Sequence, residues 1–566
     1  MSKRPESRSS APPPGSSVDL ALADMAYGGD AVGRSDGAVV FAWGGISGEQ
    51  VTARVDRVKR DIAWATVTHV ETPSPHRVAP PCPYFGPCGG CQWQHIDYGG
   101  QLDFKTAILR DQLRRFGGLD PAHLDQVLHP AVGMSEPWHY RNVAHFQIDP
   151  STRALGYFRR NSHDVVPIAV CPISDPGINQ LLTSVQALFD THAQAPADLP
   201  PNLSAVDLEA VRRGQMPVAV RERKVTGMPV WQVTIRTGAP PAEPVEADAP
   251  WAGREMVVIL HTLSGDLPPA RRGRGRGAAE EAAPRTPVLI PRKAVRQWVA
   301  GLGGRVSVVE LRQDGALELV AETPEAAALS GEELADQPVP GRVSGSRRSA
   351  RQEAEEDRPE APPGVVRQRL GEGRYWVAPH AFFQVNNIQA EKILDLIRAA
   401  LPEPVDLLVD AYSGVGAFAL ALLAGGQARR VVAIESDWAA VESARWTAAL
   451  RQIPAEQLQL EPGRVEEVLP ALDVDPDVVL LDPPRTGCAP ALLQYLLAHP
   501  PARLIYVSCD PSTLARDLRT LTPGYTLQRI QAVDMFPQTY HIESVAVLDR
   551  ISTAPDGESN SPAVPG

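Results

Sequence analysis

No apolar run in this 566-residue chain approaches the ~20 residues needed to cross a bilayer. The opening residues, Met1-Ser2-Lys3-Arg4-Pro5, are polar and no secretory h-region follows them. The expectation is therefore a soluble, cytoplasmic protein. Cysteine is scarce: six residues, Cys82, Cys88, Cys91, Cys171, Cys488 and Cys509, of which the first three are clustered. Without a secretory signal, that layout argues against a disulfide framework and for metal ligation plus a reactive thiol. Positive charge is short as well, 55 basic residues against 67 acidic ones for a net charge of −12. The deficit weighs against a nucleic-acid partner, whose phosphates draw on excess Lys and Arg. It is only a global sum, and a local basic face can coexist with acidic loops.

What is present points to several domains. The length exceeds one ordinary core, and 43% hydrophobic with 22% charged residues is a globular composition. Residues 1–15, rich in Ser, Pro and Arg, and residues 553–566 read as disordered tails. Residues 16–72 alternate short β-rich pieces with glycines, the pattern of a small OB-like β-barrel, to which Arg54, Lys59 and Arg60 would give a basic patch. A strand-rich central domain, 73–375, carries the cysteine cluster and three expected disordered insertions at 238–250, 268–286 and 344–363. The second holds an arginine-glycine tract, Arg271 to Gly277, read as a solvated loop because Glu280-Glu281 follow. From 376 to 552 continuous apolar strands (405–411, 431–434, 478–481, 504–507) alternate with helices (388–401, 415–424, 438–451, 489–497, 512–521). The pieces 525–533 and 544–548 have no helix between them and would close the sheet as an antiparallel pair. The fold class expected is α/β, with a Rossmann-like, doubly covered parallel sheet at the C-terminus.

Chemistry-bearing residues gather at the strand ends of that sheet. The first strand runs into Asp410-Ala411-Tyr412-Ser413-Gly414-Val415-Gly416, where glycines permit a tight turn against a ligand. Glu435 ends the next strand, 19 residues after Gly416, in reach of ribose hydroxyls. This loop alone fits S-adenosylmethionine or NAD equally. Asp482-Pro483-Pro484-Arg485 follows a later strand and holds Asp482 at the same edge. Ser508-Cys509-Asp510-Pro511 closes another, with Pro511 suited to the first helical position and Asp510 to the cap. Cys509 would then sit before a helix N-terminus, where the dipole favours thiolate. A final motif, Thr539-Tyr540-His541-Ile542-Glu543, offers His541 and Glu543 as acid or base.

At these residues the sequence resembles the bacterial RNA uracil-5-methyltransferase family, which carries a glycine loop like 410–418, a DPPR turn, a serine-cysteine-Asn-Pro element and a TxHxE ending. The amino-terminal barrel is similar to that family's TRAM domain, an RNA-binding barrel. The resemblance implies Cys509 as nucleophile, Glu543 as general base, and Gln384, Tyr412, Glu435 and Asp482 as S-adenosylmethionine contacts. Asp510 departs from the family's usual Asn, and its carboxylate would slightly oppose thiolate formation. The implied chemistry is coherent: a soft thiolate added at carbon 6 of uracil makes carbon 5 nucleophilic toward a methyl sulfonium, after which a base removes the carbon 5 proton.

Cys82, Cys88 and Cys91, spaced C-x5-C-x2-C, can combine with Cys171 into four thiolates suited either to an iron–sulfur cluster or to tetrahedral zinc. The resemblance implies a 4Fe–4S cluster, because Cys82-Pro83 and Cys171-Pro172 match members that hold one. It also implies an RNA substrate, 23S rRNA before tRNA, since cluster-bearing members mostly modify the former. The rivals are an amino-group methyltransferase, which needs no cysteine, a non-catalytic RNA-binding or ribosome-assembly factor, and an electron carrier.

Overall fold

The computed structural model describes residues 11–193, 228–239, 255–262, 288–302, 305–312, 316–327 and 364–551. The expected insertions at 268–286 and 344–363, with residues 240–250 of the first, lie outside the described residues.

Six N-terminal strands, Ser17–Ala21, Asp24–Met25, Ala31–Ser35, Ala38–Trp43, Gln50–Lys59 and Ile62–Thr72, form one sheet in the spatial order first, fifth, sixth, fourth, third, second. Alternation drives it: along Ala38–Trp43 every second residue is buried, so Val40 and Ala42 reach the core with Leu20, Val51 and Ala63. The chain leaving the first strand bonds across the sheet, Ala23 N–H to the Val32 carbonyl at 2.8 Å and Leu22 N–H to the Glu49 carbonyl at 2.9 Å. Residues 11–15, expected in the disordered tail, instead lead into it, with the Gly15 N–H donating to the Val55 carbonyl at 2.8 Å. Buried Glu49 takes a forked pair of bonds from Arg77, 2.5 and 2.6 Å, fastening the sheet to the segment that follows.

The central sheet joins Val143–Ile148, Leu155–Phe158 and Val165–Pro167 to strands Met228–Thr237, Glu255–Thr262, Val288–Ile290, Arg305–Arg312 and Leu317–Glu322. Helices Pro176–His192 and Arg292–Ala300 contribute to the same apolar core.

The C-terminal sheet has eight strands in the order Leu458–Pro462, Ala428–Glu435, Val405–Ala411, Val478–Leu481, Arg503–Ser508, Glu543–Arg550, Tyr525–Val533 and Leu128–Val132. The first five are mutually parallel, and Glu543–Arg550 runs antiparallel to both neighbours. Strands such as Val478–Leu481 are buried along their whole length, as parallel strands covered on two faces must be. This is the expected Rossmann-like methyltransferase domain.

Its boundaries depart from the sequence reading. The eighth strand comes from the segment assigned to the central domain, and helix Tyr98–Arg115 comes with it. Lys105 of that helix is fully buried and bonds Asp534 Oδ1 at 2.5 Å and the Phe536 carbonyl at 3.2 Å. The hairpin Val366–Leu370/Gly373–Val377, assigned to the central domain up to residue 375, packs against helices that cover the C-terminal sheet, the Tyr375 hydroxyl donating to the Ala417 carbonyl at 2.9 Å. Among the described residues no helix is long and apolar enough to cross a membrane.

Candidate active site

Strand register brings the predicted residues together. Ala411 pairs with Ile434 on one side and with Leu481 on the other, so Tyr412, Glu435 and Asp482 each stand one residue past the end of a shared rung. Leu481 pairs with Tyr506, which puts Cys509 three residues further along the next strand. Ser508 pairs with Ser544 in an antiparallel ladder, so the next residues out, Cys509 and Glu543, face each other. Four adjacent strand ends thus open on one crevice, the usual ligand position of an open α/β sheet.

The glycine turn is held open by its backbone. Tyr412, Gly414 and Gly416 all have positive φ, 66°, 56° and 72°. The tyrosine bears strain that glycine would not, as functional loops often do. A side-chain carbon at Gly414 would meet no atom within 4 Å, so this stretch of backbone faces open space. Its N–H is spent on Glu435 Oε2 at 2.9 Å, while Glu435 Oε1 accepts from the N–H groups of Ser436 and Asp437, both at 2.7 Å. Asp410, which the sequence reading gave no role, takes the Ala419 N–H on Oδ2 at 3.0 Å. Its Oδ1 is buried without a partner among the described residues.

The crevice is crowded with carboxyl groups. Burial first, then the charge of Asp482, pushes Asp410 up to about 8. Burial and Glu435 push Asp482 up to about 7. Burial and Asp482 hold Glu543 well above the carboxylate range, against the pull of Arg485. Such a cluster favours a cation in its midst, because a positive group would relieve both the desolvation and the mutual repulsion. A sulfonium and an amino-acid ammonium fit that need; the residues present suit S-adenosylmethionine.

Cys509 contradicts the expected thiolate. Pro511–Leu521 does follow as a helix, and Asp510 caps it, Oδ1 accepting from Ser512 and Thr513 N–H at 2.9 and 3.0 Å. The dipole is outweighed: burial, Glu543 and Asp482 push the thiol up to about 12, with Asp510 adding a smaller push. The cysteine therefore rests as a thiol. Asp510 has a second duty, its Oδ2 accepting from the Tyr27 hydroxyl of the N-terminal sheet at 2.9 Å.

The stretch leading into the TxHxE motif, residues 535–538, is anchored from three directions. The Gln538 N–H donates to Gln101 Oε1 at 2.9 Å, the Tyr140 hydroxyl to the Pro537 carbonyl at 3.0 Å, and Asn386 Nδ2 to the Met535 carbonyl at 3.2 Å. His541, offered as an acid or base, lies 3.4 Å from Arg485 through Nδ1 and is pushed down to about 4 by burial and that cation. At that value it is a weak proton acceptor, and Glu543, whose carboxylate is made more basic by burial and Asp482, is left as the base candidate. Gln384 lies two residues before Asn386, and its carbonyl accepts from Asn142 Nδ2 at 2.9 Å. No local pattern marks Lys105, Gln101, Tyr140 or Tyr27; each acts over hundreds of residues of sequence.

Cys82, Cys88, Cys91 and Cys171 line one cavity together with Arg141, Tyr157 and Pro172. Burial pushes the Cys88 thiol up to about 11 and Cys91 to about 12, and charge on Cys171 would raise both further. Four cysteine sulfurs brought to one cavity are a donor set that a cationic centre would stabilise as thiolates. No group of three or more His, Cys, Asp or Glu among the described residues is placed to hold a single ion.

Residues 366–551 match the family model described as tRNA (Uracil-5-)-methyltransferase. An uncharacterized RNA methyltransferase of Gloeobacter violaceus is 30% identical over 542 residues, 95% of this chain and 97% of its own length. One from Nostoc sp. is 32% identical over 540 residues, 94% and 96% of the two chains. Among solved structures, the Pyrococcus abyssi tRNA (uracil-54, C5)-methyltransferase in complex with S-adenosyl-L-homocysteine superposes with a TM-score of 0.57 at 21% identity, covering 94% of this chain and all of that one. With relatives aligned end to end and the reactive motifs converging on one crevice, this chain belongs to the RNA uracil-5-methyltransferase family and is an S-adenosylmethionine-dependent enzyme.

Proposed function

We propose that the enzyme methylates carbon 5 of a uridine in 23S rRNA through a covalent adduct between Cys509 and carbon 6. The observation that carries this reading is the facing pair Cys509 and Glu543 beside Asp482, at the ends of adjacent strands. Cys509 passes its proton to the Asp482 carboxylate, and Sγ adds to carbon 6, leaving an enolate with nucleophilic carbon 5. Bound S-adenosylmethionine supplies an electrophilic methyl, which carbon 5 takes as the sulfonium leaves as a thioether. Glu543 accepts the carbon 5 proton, the enolate re-forms and expels Sγ, and the uracil ring regains its double bond. General base catalysis of this kind contributes roughly 10²–10⁴-fold. Tyr412, Glu435, Asp482 and Gln384 hold the methyl donor, and the target base reaches the crevice by leaving its stack.

The test is Glu543→Gln, which leaves addition and methyl transfer in place and blocks release. It should accumulate a protein–RNA adduct on denaturing gels that Cys509→Ser abolishes. Absence of a Cys509-dependent adduct removes Glu543 from the role of base. Full activity of Cys509→Ala would favour methylation of an amino group instead.

The N-terminal sheet serves as a TRAM-type RNA-binding barrel, and Cys82, Cys88, Cys91 and Cys171 hold a 4Fe–4S cluster whose iron compensates their charge. Ribosomal RNA is proposed over tRNA because the four-cysteine set resembles that of members acting on 23S rRNA. Mapping the 5-methyluridine lost from RNA of a deletion strain decides between them.

A further inference from the structure

A cavity of about 590 Å³, lined by none of Cys509, Asp482 and Glu543, is bounded by the N-terminal sheet, the cysteine loop and the central sheet, with Tyr540 at its edge. That volume is in the range of pockets that enclose small molecules. Two indoles line it. Trp64 carries the Arg57 guanidinium 4.0 Å above its ring centroid and lies against Phe41 at 5.9 Å, 21° from parallel. Trp43 carries Arg160 at 4.5 Å and lies against Phe85 at 6.3 Å, 24° from parallel. Each indole therefore has an aromatic neighbour and a planar cation against its ring. Asp30 and Asp56 line the same cavity, and Asp30 pairs with Arg160 at 3.6 Å. Asp30 and Asp56 offset two of the three arginines that line the cavity, Arg57, Arg159 and Arg160, so little charge is left over for a phosphate, while the indole and guanidinium planes suit an uncharged planar ring with polar edges.

We infer that this cavity binds one unstacked nucleobase of the RNA, distinct from the uridine that is methylated. Bases stack readily on aromatic rings and on arginine planes, and an RNA loop that gives up its target base has neighbours free to do so. Tyr540 links the two sites. Its ring lines the cavity and meets Tyr27 edge-on at 5.9 Å, and the Tyr27 hydroxyl holds Asp510 beside Cys509. Filling the cavity would therefore register the RNA against the reactive crevice and read a second nucleotide.

The inference rests on the substrate being RNA, and its test is separable from the test of catalysis. The probes are a mixed-sequence single-stranded RNA of about 12 nucleotides and an abasic ribose-phosphate chain of equal length, within the site sizes such grooves cover. Affinity is measured by fluorescence anisotropy, with far-UV circular dichroism and the thermal unfolding midpoint as the control for an intact fold. The wild type should prefer the base-bearing probe by about 10–100-fold, the usual effect of stacking one or two bases. Trp64→Leu and Trp43→Leu should lose most of that preference while binding the abasic chain within about 2-fold of wild type. Should both tryptophan variants fail the fold control, Arg57→Gln and Arg160→Gln decide by the same criterion. A preference that survives in all folded variants, or an equal loss on both probes, overturns the inference. A wild type that fails to bind S-adenosylhomocysteine would count against the proposed catalysis and leave this comparison readable.

Discussion

The resting state of Cys509 gives a direct measure of which electrostatic effect governs the crevice. If the helix dipole prevailed, the thiol would sit at or below ~8.5, the value of a free cysteine. Burial with Glu543 and Asp482 nearby instead places it at about 12. At pH 8 a free thiol is roughly one-quarter thiolate, whereas Cys509 would be about 10⁻⁴ ionised, a deficit of roughly 2,000-fold. Each thiolate of higher pKa is more nucleophilic, with a Brønsted slope of about 0.4–0.5, which returns roughly 40-fold. The net expectation is alkylation by iodoacetamide on the order of 50-fold slower than free cysteine at pH 8. The rate should still be climbing at pH 10, because a group with a raised pKa ionises only as the pH approaches that value. Peptide-resolved mass spectrometry over a time course supplies the rate, and Glu543→Gln and Asp482→Asn should each accelerate it by removing a negative neighbour. Alkylation as fast as free cysteine, with an inflection near pH 7, would refute the reasoning and restore the helix dipole as the dominant influence.

Other consequences can be measured independently. Lys105→Met leaves Asp534 buried without its cation, so unfolding by denaturant should show a loss of about 3–5 kcal/mol; a loss below ~1 kcal/mol would mean that the pair contributes no more than an ordinary hydrogen bond. Tyr27→Phe removes the hydroxyl donated to the Asp510 carboxylate and should cost about 1.5–3 kcal/mol if that carboxylate is charged, read as a shift in denaturation midpoint. Gly416→Ala forces a side chain onto a backbone with φ of 72°, so S-adenosylmethionine binding by calorimetry should weaken by about 5–30-fold, the equivalent of 1–2 kcal/mol. Anaerobically purified protein should be brown and contain iron and sulfide in equal amounts. A colourless, zinc-loaded sample would discard the cluster, and Cys171→Ser should release whatever metal is present.

Much of the C-terminal domain was legible because its signals are local. Largely apolar strands of four to seven residues alternate with helical periods, and the antiparallel closing pair betrayed itself by lacking a helix between its strands. The cap at Asp510 and the proline after it were readable for the same reason, since capping is decided within three residues. The strand Leu458–Pro462 was missed: it pairs with only one neighbour, and most of its residues are partly exposed, so its apolar run is weak. The separation of 98–132 from the central domain was also missed, because nothing in Leu128–Val132 announces that its partner lies some 400 residues later.

The sequence by itself determined which residues have the chemistry to act: a cysteine before a capped helix, a glycine turn, and carboxylates ending strands. Those are properties of a few neighbouring residues and survive without a fold. Only the tertiary structure decided that Cys509 and Glu543 face one another, that Lys105 steadies the loop between them, and that the thiol is protonated at rest. Proximity and burial set local charge, and both depend on chain segments that meet only after folding.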